Sequence, residues 1–382
     1  MILSMLALLI GCPPSTDLED TADTSTEGDA DTDTDADTDA DSDADADSDS
    51  DSDADADPQT TGLATTTNYS VGALTSFDLG SRTATDVADI ASDSVVIVEG
   101  DYAIQLGRFG ADYVRLYTLG DWNNPLEFSL AEGANPQDAH FCGDNLFISQ
   151  YGVDKIAIYS SSGNPVGSID LSSYSDADGA PEAAAMVKDG DRLFVALQML
   201  NTADFSSAGP GQILEIDCAA QSITQDWEVG VNPRIQAHPE DPELLFIRTG
   251  LFGSPDGGLS ILNVADGSEE DVVSESDLGG DIAGLAFAST GRALLHVLTP
   301  SYASQLYCVD AGGEAMNQLG GDMPYTSGPW MNDRDEAWLA VGYNYGTETE
   351  GGVMIVDVDA CEDVTSEGFV PSTLGVSSIS FY

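Results

Sequence analysis

From residue 59 onward the chain is a succession of short β-branched and aromatic runs separated by Gly, Pro, Asn and Asp, and these runs return at a near-constant interval. Strands are expected at 95–98, 114–117, 146–149, 156–159, 193–197, 213–216, 244–247, 259–262, 293–298, 338–341 and 353–358. No window carries the 3.6-residue apolar period of an amphipathic helix, so the region reads as all-β. The residues that introduce successive units are Asp86, Pro136, Pro181, Pro233, Asp281, Pro324 and Pro371, spaced by 50, 45, 52, 48, 43 and 47 residues. A period near 47 with four strands per unit predicts a ring of four-stranded blades, a β-propeller, rather than a sandwich.

Residues 135–171, NPQDAHFCGDNLFISQYGVDKIAIYSSSGNPVGSIDL, show the order inside one unit: strand A about 139–142, B 146–149, C 155–159 and D 166–171. Proline suits the lead-in to A, where no ladder hydrogen bond is needed. This unit, and residues 229–250 (VGVNPRIQAHPEDPELLFIRTG), resemble the YVTN-type β-propeller repeat: a Gly/Asn-Pro entry, a strand, a Gly/Asp turn, a second strand and a "vxVID"-like third. The third strand stands here at 212–217 (QILEID), 258–264 (GLSILNV) and 353–358 (VMIVDV). The resemblance is one of pattern and covers about residues 69–382. The units at 86–130 and 281–319 depart from it by carrying Asp where the entry Pro would be.

Seven entries accompany only six complete units. Residues 375–382, GVSSISFY, have room for one inner strand, and residues 69–79 supply one or two outer strands before the first entry. A ring must hide its edge strands, and a blade shared between the two termini does so. Seven blades closed by pairing of N- and C-terminal strands are favoured; six is the alternative.

Residues 1–12, MILSMLALLIGC, are too short to cross a bilayer as a helix, which needs roughly 20 residues, and read as the apolar core of a signal peptide. Leu9-Ile10-Gly11-Cys12 resembles the bacterial lipobox. That resemblance implies that Cys12 becomes the lipidated N-terminus and, with Pro13 rather than Asp after it, that the chain is exported and anchored to the outer membrane or cell surface. An n-region without Lys or Arg departs from the family pattern. Residues 13–58 then carry 20 of the 68 acids and no base, with Asp at every second position from Asp29 to Asp57. The intervening Ala, Thr and Ser offer too little apolar surface to offset ordering, so a disordered, self-repelling spacer is expected, with a maximum reach of roughly 150 Å. Loosely bound Ca²⁺ is the one cofactor such an Asp-x-Asp run suggests; no EF-hand loop is present. The division is therefore 1–12 signal peptide, 13–58 spacer and 59–382 propeller.

Few residues can carry chemistry. Besides Cys12 there are Cys142, Cys218, Cys308 and Cys361, an even number without Cys-x-x-Cys spacing. They allow two disulfides in three connectivities, of which Cys142–Cys218 and Cys308–Cys361 would join adjacent blades. His140 and His238 fall near inner strands and His296 inside ALLHVL, where packing is the plainer reading. No nucleophile elbow, HExxH or phosphate-cradling loop occurs. The acids Asp86, Asp138, Glu182 and Asp281, with Arg234, could face the channel mouth. Such a set would suit a metal-assisted lactonase-like hydrolase, which needs an activated water and a stabilised oxyanion. An aromatic residue also falls in each B–C loop: Tyr102 and Phe109, Tyr151, Phe205, Phe252, Tyr302, then Tyr343 and Tyr345. Aromatics on a rigid rim suit recognition of a protein or a glycan.

The charge narrows the partners. A net charge of −58, from 68 acids and 10 bases, excludes a phosphate-neutralising surface and hence nucleic acid as a partner. The propeller region alone keeps 48 acids against all 10 bases, which suits a medium that screens self-repulsion. The sequence thus reads as a lipoprotein displaying a non-catalytic binding or scaffold propeller on an acidic stalk, touching the membrane only through its lipid. The lactonase-like hydrolase is the alternative.

Overall fold

The computed structural model describes residues 58–239, 241–310, 317–324, 326–341, 351–365 and 368–382. The leader with Cys12, the Asp-rich segment, Tyr343 and Tyr345 lie outside the described residues. The fold is a seven-bladed β-propeller of antiparallel sheets, and in six of the blades the strands follow chain order. Blade 1 is Ser94–Glu99, Tyr102–Gly107, Tyr113–Thr118 and Asp121–Ser129. Blade 2 is Pro136–Cys142, Asn145–Gln150, Lys155–Ser160 and Pro165–Asp170. Blade 3 is Ala183–Asp189, Arg192–Leu197, Gly211–Asp217 and Ser222–Val229; blade 4 is Arg234–Ala237, Leu244–Thr249, Gly258–Asn263 and Glu269–Ser274. Blade 5 is Asp281–Phe287, Ala293–Leu298, Ser304–Val309 and Asn317–Met323. Blade 6 is Ser327–Met331, Glu336–Val341 and Gly351–Asp357, with its outer edge split between Glu362–Asp363 and Val370–Ser372. A single-turn helix, Glu275–Leu278, joins blades 4 and 5.

Blade 7 is built from both termini. Gly375–Phe381 forms its inner strand and pairs antiparallel with Thr61–Thr67, in a register that sets Gly62 opposite Phe381 and Ala64 opposite Ile379. Gly72–Asp78 and Thr83–Ile90 complete it. The N-terminal segment therefore supplies three strands rather than one or two. Two unit entries shift accordingly. Asp86 lies on the exposed outer strand of blade 7, where its carboxylate accepts the Thr75 hydroxyl at 2.8 Å, and the first complete blade starts at Ser94. Pro371 sits on the outer edge of blade 6, and the next inner strand begins at Gly375. Asp and Pro mark chain reversals wherever they fall, so they did not separate a lead-in from an outer edge.

The core consists of seven apolar layers, one between each pair of neighbouring blades. Strand alternation produces them. In blade 2, Phe147, Ile156 and Ile158 pack toward blade 3, while Leu146, Ile148 and Ala157 pack toward blade 1. In blade 3, Leu193, Val195 and Leu197 face blade 2, and Phe194 and Ala196 face blade 4. A strand buried on both faces reads as a near-continuous apolar run, as in RLFVAL after Arg192 and in ALLHVL, which His296 alone interrupts. The outer strands face water on one side and dilute to DWNNPLEFS and SITQDWEV.

Polar groups on the inner strands stitch the ring. Val96 and Val98 of blade 1 donate their backbone N–H groups to Ser378 and Ser380 of blade 7 at 3.2 and 2.9 Å. Asp138, read from sequence as a channel-mouth acid, accepts Ala139 N–H at 2.9 Å and Met186 N–H of blade 3 at 2.8 Å, so it links blades 2 and 3. At the opposite end of the inner strands, Glu99 of blade 1 accepts from Lys188 of blade 3 at 2.9 Å and from Phe141 N–H at 2.9 Å, and lies 3.2 Å from His140 Nδ1 of blade 2. Disulfides Cys142–Cys218 and Cys308–Cys361 join blades 2 to 3 and 5 to 6, with Cα atoms 5.5 and 6.0 Å apart. Closing loops of 76 and 53 residues, each restricts the unfolded chain by about 4 kcal/mol in a chain-entropy account.

Two outcomes are expected. Truncation after Leu374 removes the inner strand of blade 7, strips Phe381 from Trp338 (rings 5.7 Å apart) and bares the edge of Thr61–Thr67. The truncated chain should lose its sigmoidal thermal transition by circular dichroism. Burial alone would raise the Glu99 carboxyl, but the His140 and Lys188 partners hold it down at about 2, against an ordinary 4.5. Its contribution is complete above pH 4.5 and disappears as pH falls toward 2, on the order of 3 kcal/mol. Glu99→Gln should be destabilised at pH 7 and should flatten the acid limb of a plot of Tm against pH.

Candidate ligand-binding site

The B–C loops and the D-to-A crossovers share one face of the ring, because A runs away from that face and B returns to it. Over blades 2 to 5 this face is hollowed by a pocket of about 640 Å³. Tyr151 enters it from the blade 2 loop, Gln198, Leu200 and Phe205 from blade 3, Asn232 and Arg234 from the next crossover, Arg248 and Phe252 from blade 4, and Glu275 and Asp281 from the approach to blade 5. Leu200, Leu251, Phe205, Phe252 and Ile282 give it apolar walls around polar groups.

The polar groups of its floor are the informative ones. Gln198 is 0% exposed, and neither its amide nitrogen nor its amide oxygen has a hydrogen-bond partner among the described residues. The Tyr151 hydroxyl is buried in the same condition, and burial, with the nearby Glu182 carboxylate, pushes its phenol above the ordinary 10.0. Asn232 donates Nδ2–H to the Gly250 carbonyl at 2.9 Å, and its buried Oδ1 has no partner among the described residues. A buried polar group without a partner costs about 1–3 kcal/mol, and these three belong to residues that line one cavity.

The acids of the pocket are arranged differently. Glu275 opens the short helix, and its Oε1 accepts Ile282 N–H at 2.8 Å while Oε2 accepts Gly257 N–H at 3.0 Å. Gly250, at φ +129, is required beside it: a Cβ there would stand 2.6 Å from Oε2. Burial raises Glu275 to about 7, the Asp281 charge adds to the rise, and Arg248 opposes it. Asp281 accepts Gly253 N–H at 2.6 Å. Both carboxylates thus hold loop backbone, and Arg234 and Arg248 bring positive charge to the same wall.

Asp281 and Arg234 line the pocket, Glu182 lies behind its Leu200 wall, and Asp86 and Asp138 are elsewhere. Tyr151, Phe205 and Phe252 line the pocket, and Tyr302 packs on Phe252 with ring centroids 5.7 Å apart. Phe252 and Tyr302 are 38% and 56% exposed. Phe109, Phe205 and Tyr302 hold positive φ angles of 44, 58 and 63, a backbone state bulky residues seldom adopt and one that collects at functional sites. Tyr102 belongs to the opposite face: it starts strand B of blade 1, beside the A–B turn, against Phe141 at 5.5 Å. The one-strand offset in assigning blade 1 put it in the wrong loop. His140 is engaged in the Glu99 cluster, and His238 stacks on Phe246 at 5.0 Å. His296 lies against Ser304 at 2.8 Å and is held near 4 by burial. Gln198, Asn232, Arg248 and Glu275 carry no sequence motif; the length of the loops at 201–211 and 250–258 was their one signal.

No family model matches the chain, and no curated protein matches it. Solved structures do. A candidate 6-phosphogluconolactonase from Bacteroides fragilis superposes with a TM-score of 0.59 at 13% identity, over 85% of this chain and 98% of that one. A streptogramin B lyase gives 0.52 at 12% identity, over 74% and 91%. A chain of a mitotic checkpoint complex gives 0.50 at 13% identity, over 72% and 84%. At these identities the likeness is one of fold.

Because the folded pKa of Glu275, about 7, lies above its ordinary 4.5, the native state binds the proton more tightly, and this group's contribution to stability falls as pH rises from about 4.5 to 7. Replacing it by Gln should flatten the Tm profile over that interval, at the price of one backbone hydrogen bond. An unchanged slope would show that Glu275 does not titrate there.

Proposed function

We propose that the protein is an envelope-anchored lipoprotein whose propeller is a non-catalytic binding module, with the pocket over blades 2 to 5 as its recognition site. The observation that carries this reading is the floor of buried, uncompleted Gln198, Tyr151 and Asn232 beneath exposed aromatic rings. An amide and a phenol recognise a neutral group bearing hydroxyls or amides, and Phe252 and Tyr302 offer a face for a flat or ring-shaped part of it. A protein or glycan partner at the cell envelope presents such groups. The lipobox-like Cys12 and the acidic segment after it support display away from a membrane surface.

A metal-assisted lactonase-like hydrolase is the second reading. It is favoured by one specific feature, a carboxylate near 7 in a pocket that also holds two arginines. Against it, Glu275 accepts Ile282 and Gly257 N–H and Asp281 accepts Gly253 N–H, so both carboxylates already have a structural role in holding loop backbone.

Capture of partners from cross-linked cell envelopes by the purified chain separates the readings. Phe252→Ala with Tyr302→Ala, and separately Gln198→Leu, should reduce capture of a partner at least tenfold while leaving Tm within a few degrees. Undiminished capture by both variants would refute the binding reading. Turnover of a lactone panel, lost in Glu275→Gln, would establish the hydrolase instead.

A further inference from the structure

The crossover from blade 2 to blade 3 reads Asp176-Ala-Asp178-Gly179-Ala-Pro-Glu182. A carboxylate oxygen of Asp176, of Asp178 and of Glu182 all lie within 4.8 Å of one another. The three differ sharply in setting. Asp178 is exposed and Asp176 half-buried, whereas Glu182 is 0% exposed. Its Oε2 accepts Leu200 N–H at 2.8 Å, while Oε1 is buried with no hydrogen-bond partner among the described residues. A buried glutamate with one oxygen lacking a donor, and with a carboxylate oxygen within 4.8 Å of two more carboxylates, is the arrangement a bound cation completes.

We propose that Asp176, Asp178 and Glu182 form a binding site for a hard divalent cation, with calcium preferred over magnesium. All three offer oxygen, the donor calcium takes. The open side at Asp178 leaves room for water and for a coordination sphere larger and less regular than magnesium demands. The site also reaches the pocket. Asp178 Oδ2 accepts the Thr202 N–H and hydroxyl, both at 2.8 Å, and Glu182 holds Leu200, so the acids grip both ends of the segment that leads to Phe205. A cation here would brace that wall.

Terbium, a luminescent stand-in for calcium, tests it in the full chain after removal of ions with EDTA. Tyr174 lies two residues before Asp176, and the Tyr151 phenol feels the Glu182 and Asp178 charges, so tyrosine excitation should sensitise terbium at this site. Residues 13–58 contain no aromatic side chain, so ions on the acidic segment stay dark. The expected result is saturable emission, displaced by Ca²⁺ at lower concentration than by Mg²⁺, with Kd raised at least tenfold in Glu182→Gln and in Asp178→Asn. Glu182→Gln keeps an acceptor for Leu200 and should fold. Its Tm without ions should equal or exceed that of the parent chain, and the rise in Tm that Ca²⁺ gives the parent should be absent. Emission that does not saturate, or the same Kd and the same Ca²⁺-induced rise in both variants, would overturn the proposal.

Discussion

Every blade depends on the antiparallel pairing of Gly375–Phe381 with Thr61–Thr67. A propeller blade has no core of its own; its apolar faces are covered only by the blades on either side. A ring with one open joint would therefore expose two apolar faces and the hydrogen-bonding edge of a strand at once. Sharing blade 7 between the termini makes the joint a ladder of backbone bonds, and Trp330, Trp338, Phe77 and Phe381 fill the layer beside it. Ser378 and Ser380 carry the same inner strand into register with blade 1. The two disulfides lie elsewhere, across the blade 2–3 and 5–6 layers, so closure itself rests on non-covalent pairing.

The same dependence on neighbours made the architecture legible. Because each strand is covered on both faces, runs such as LLFIRT and EAWLAV stand out from their polar turns. Because each blade repeats one job, the runs recur at one interval. Strands B and C of most blades could be placed within a residue or two. What could not be read was where a blade starts. The outer strand Thr83–Ile90, sequence TATDVADI, is polar enough to pass for a loop. With that strand missed, Asp86 looked like an entry and Tyr102 like a rim residue. Outer strands have one wet face, and their pattern fades toward that of the turns around them.

The pocket was less legible for a related reason. Its aromatics, Phe205, Phe252 and Tyr302, could be picked out because large apolar residues in Gly- and Ser-rich loops have no packing role to fill. Gln198 could not. It follows the buried strand Arg192–Leu197, and only its position at the floor of a cavity, with both amide atoms uncompleted, distinguishes it from any polar residue at a strand end. Chemistry assembled from single residues of four blades leaves no spacing along the chain.

The acid excess of the propeller resolves into turn chemistry. Asp78, Asp121, Asp170, Asp204, Asp217, Asp241, Asp266, Asp357 and Asp363 each accept a backbone N–H two or three residues ahead. A ring of short strands needs many such reversals, and aspartate closes them well while tolerating full hydration. The few bases are placed with more restriction. Arg82, Arg108, Arg115, Lys188 and Arg192 each meet an acid, and Arg82, Lys188 and Arg192 do so across blades. Negative charge is therefore dispersed where single aspartates close turns, and cancelled where bases join blades. It accumulates where one crossover brings two turn aspartates against a buried glutamate. Asp176, Asp178 and Glu182 occupy that place, beside the loop that forms one wall of the pocket.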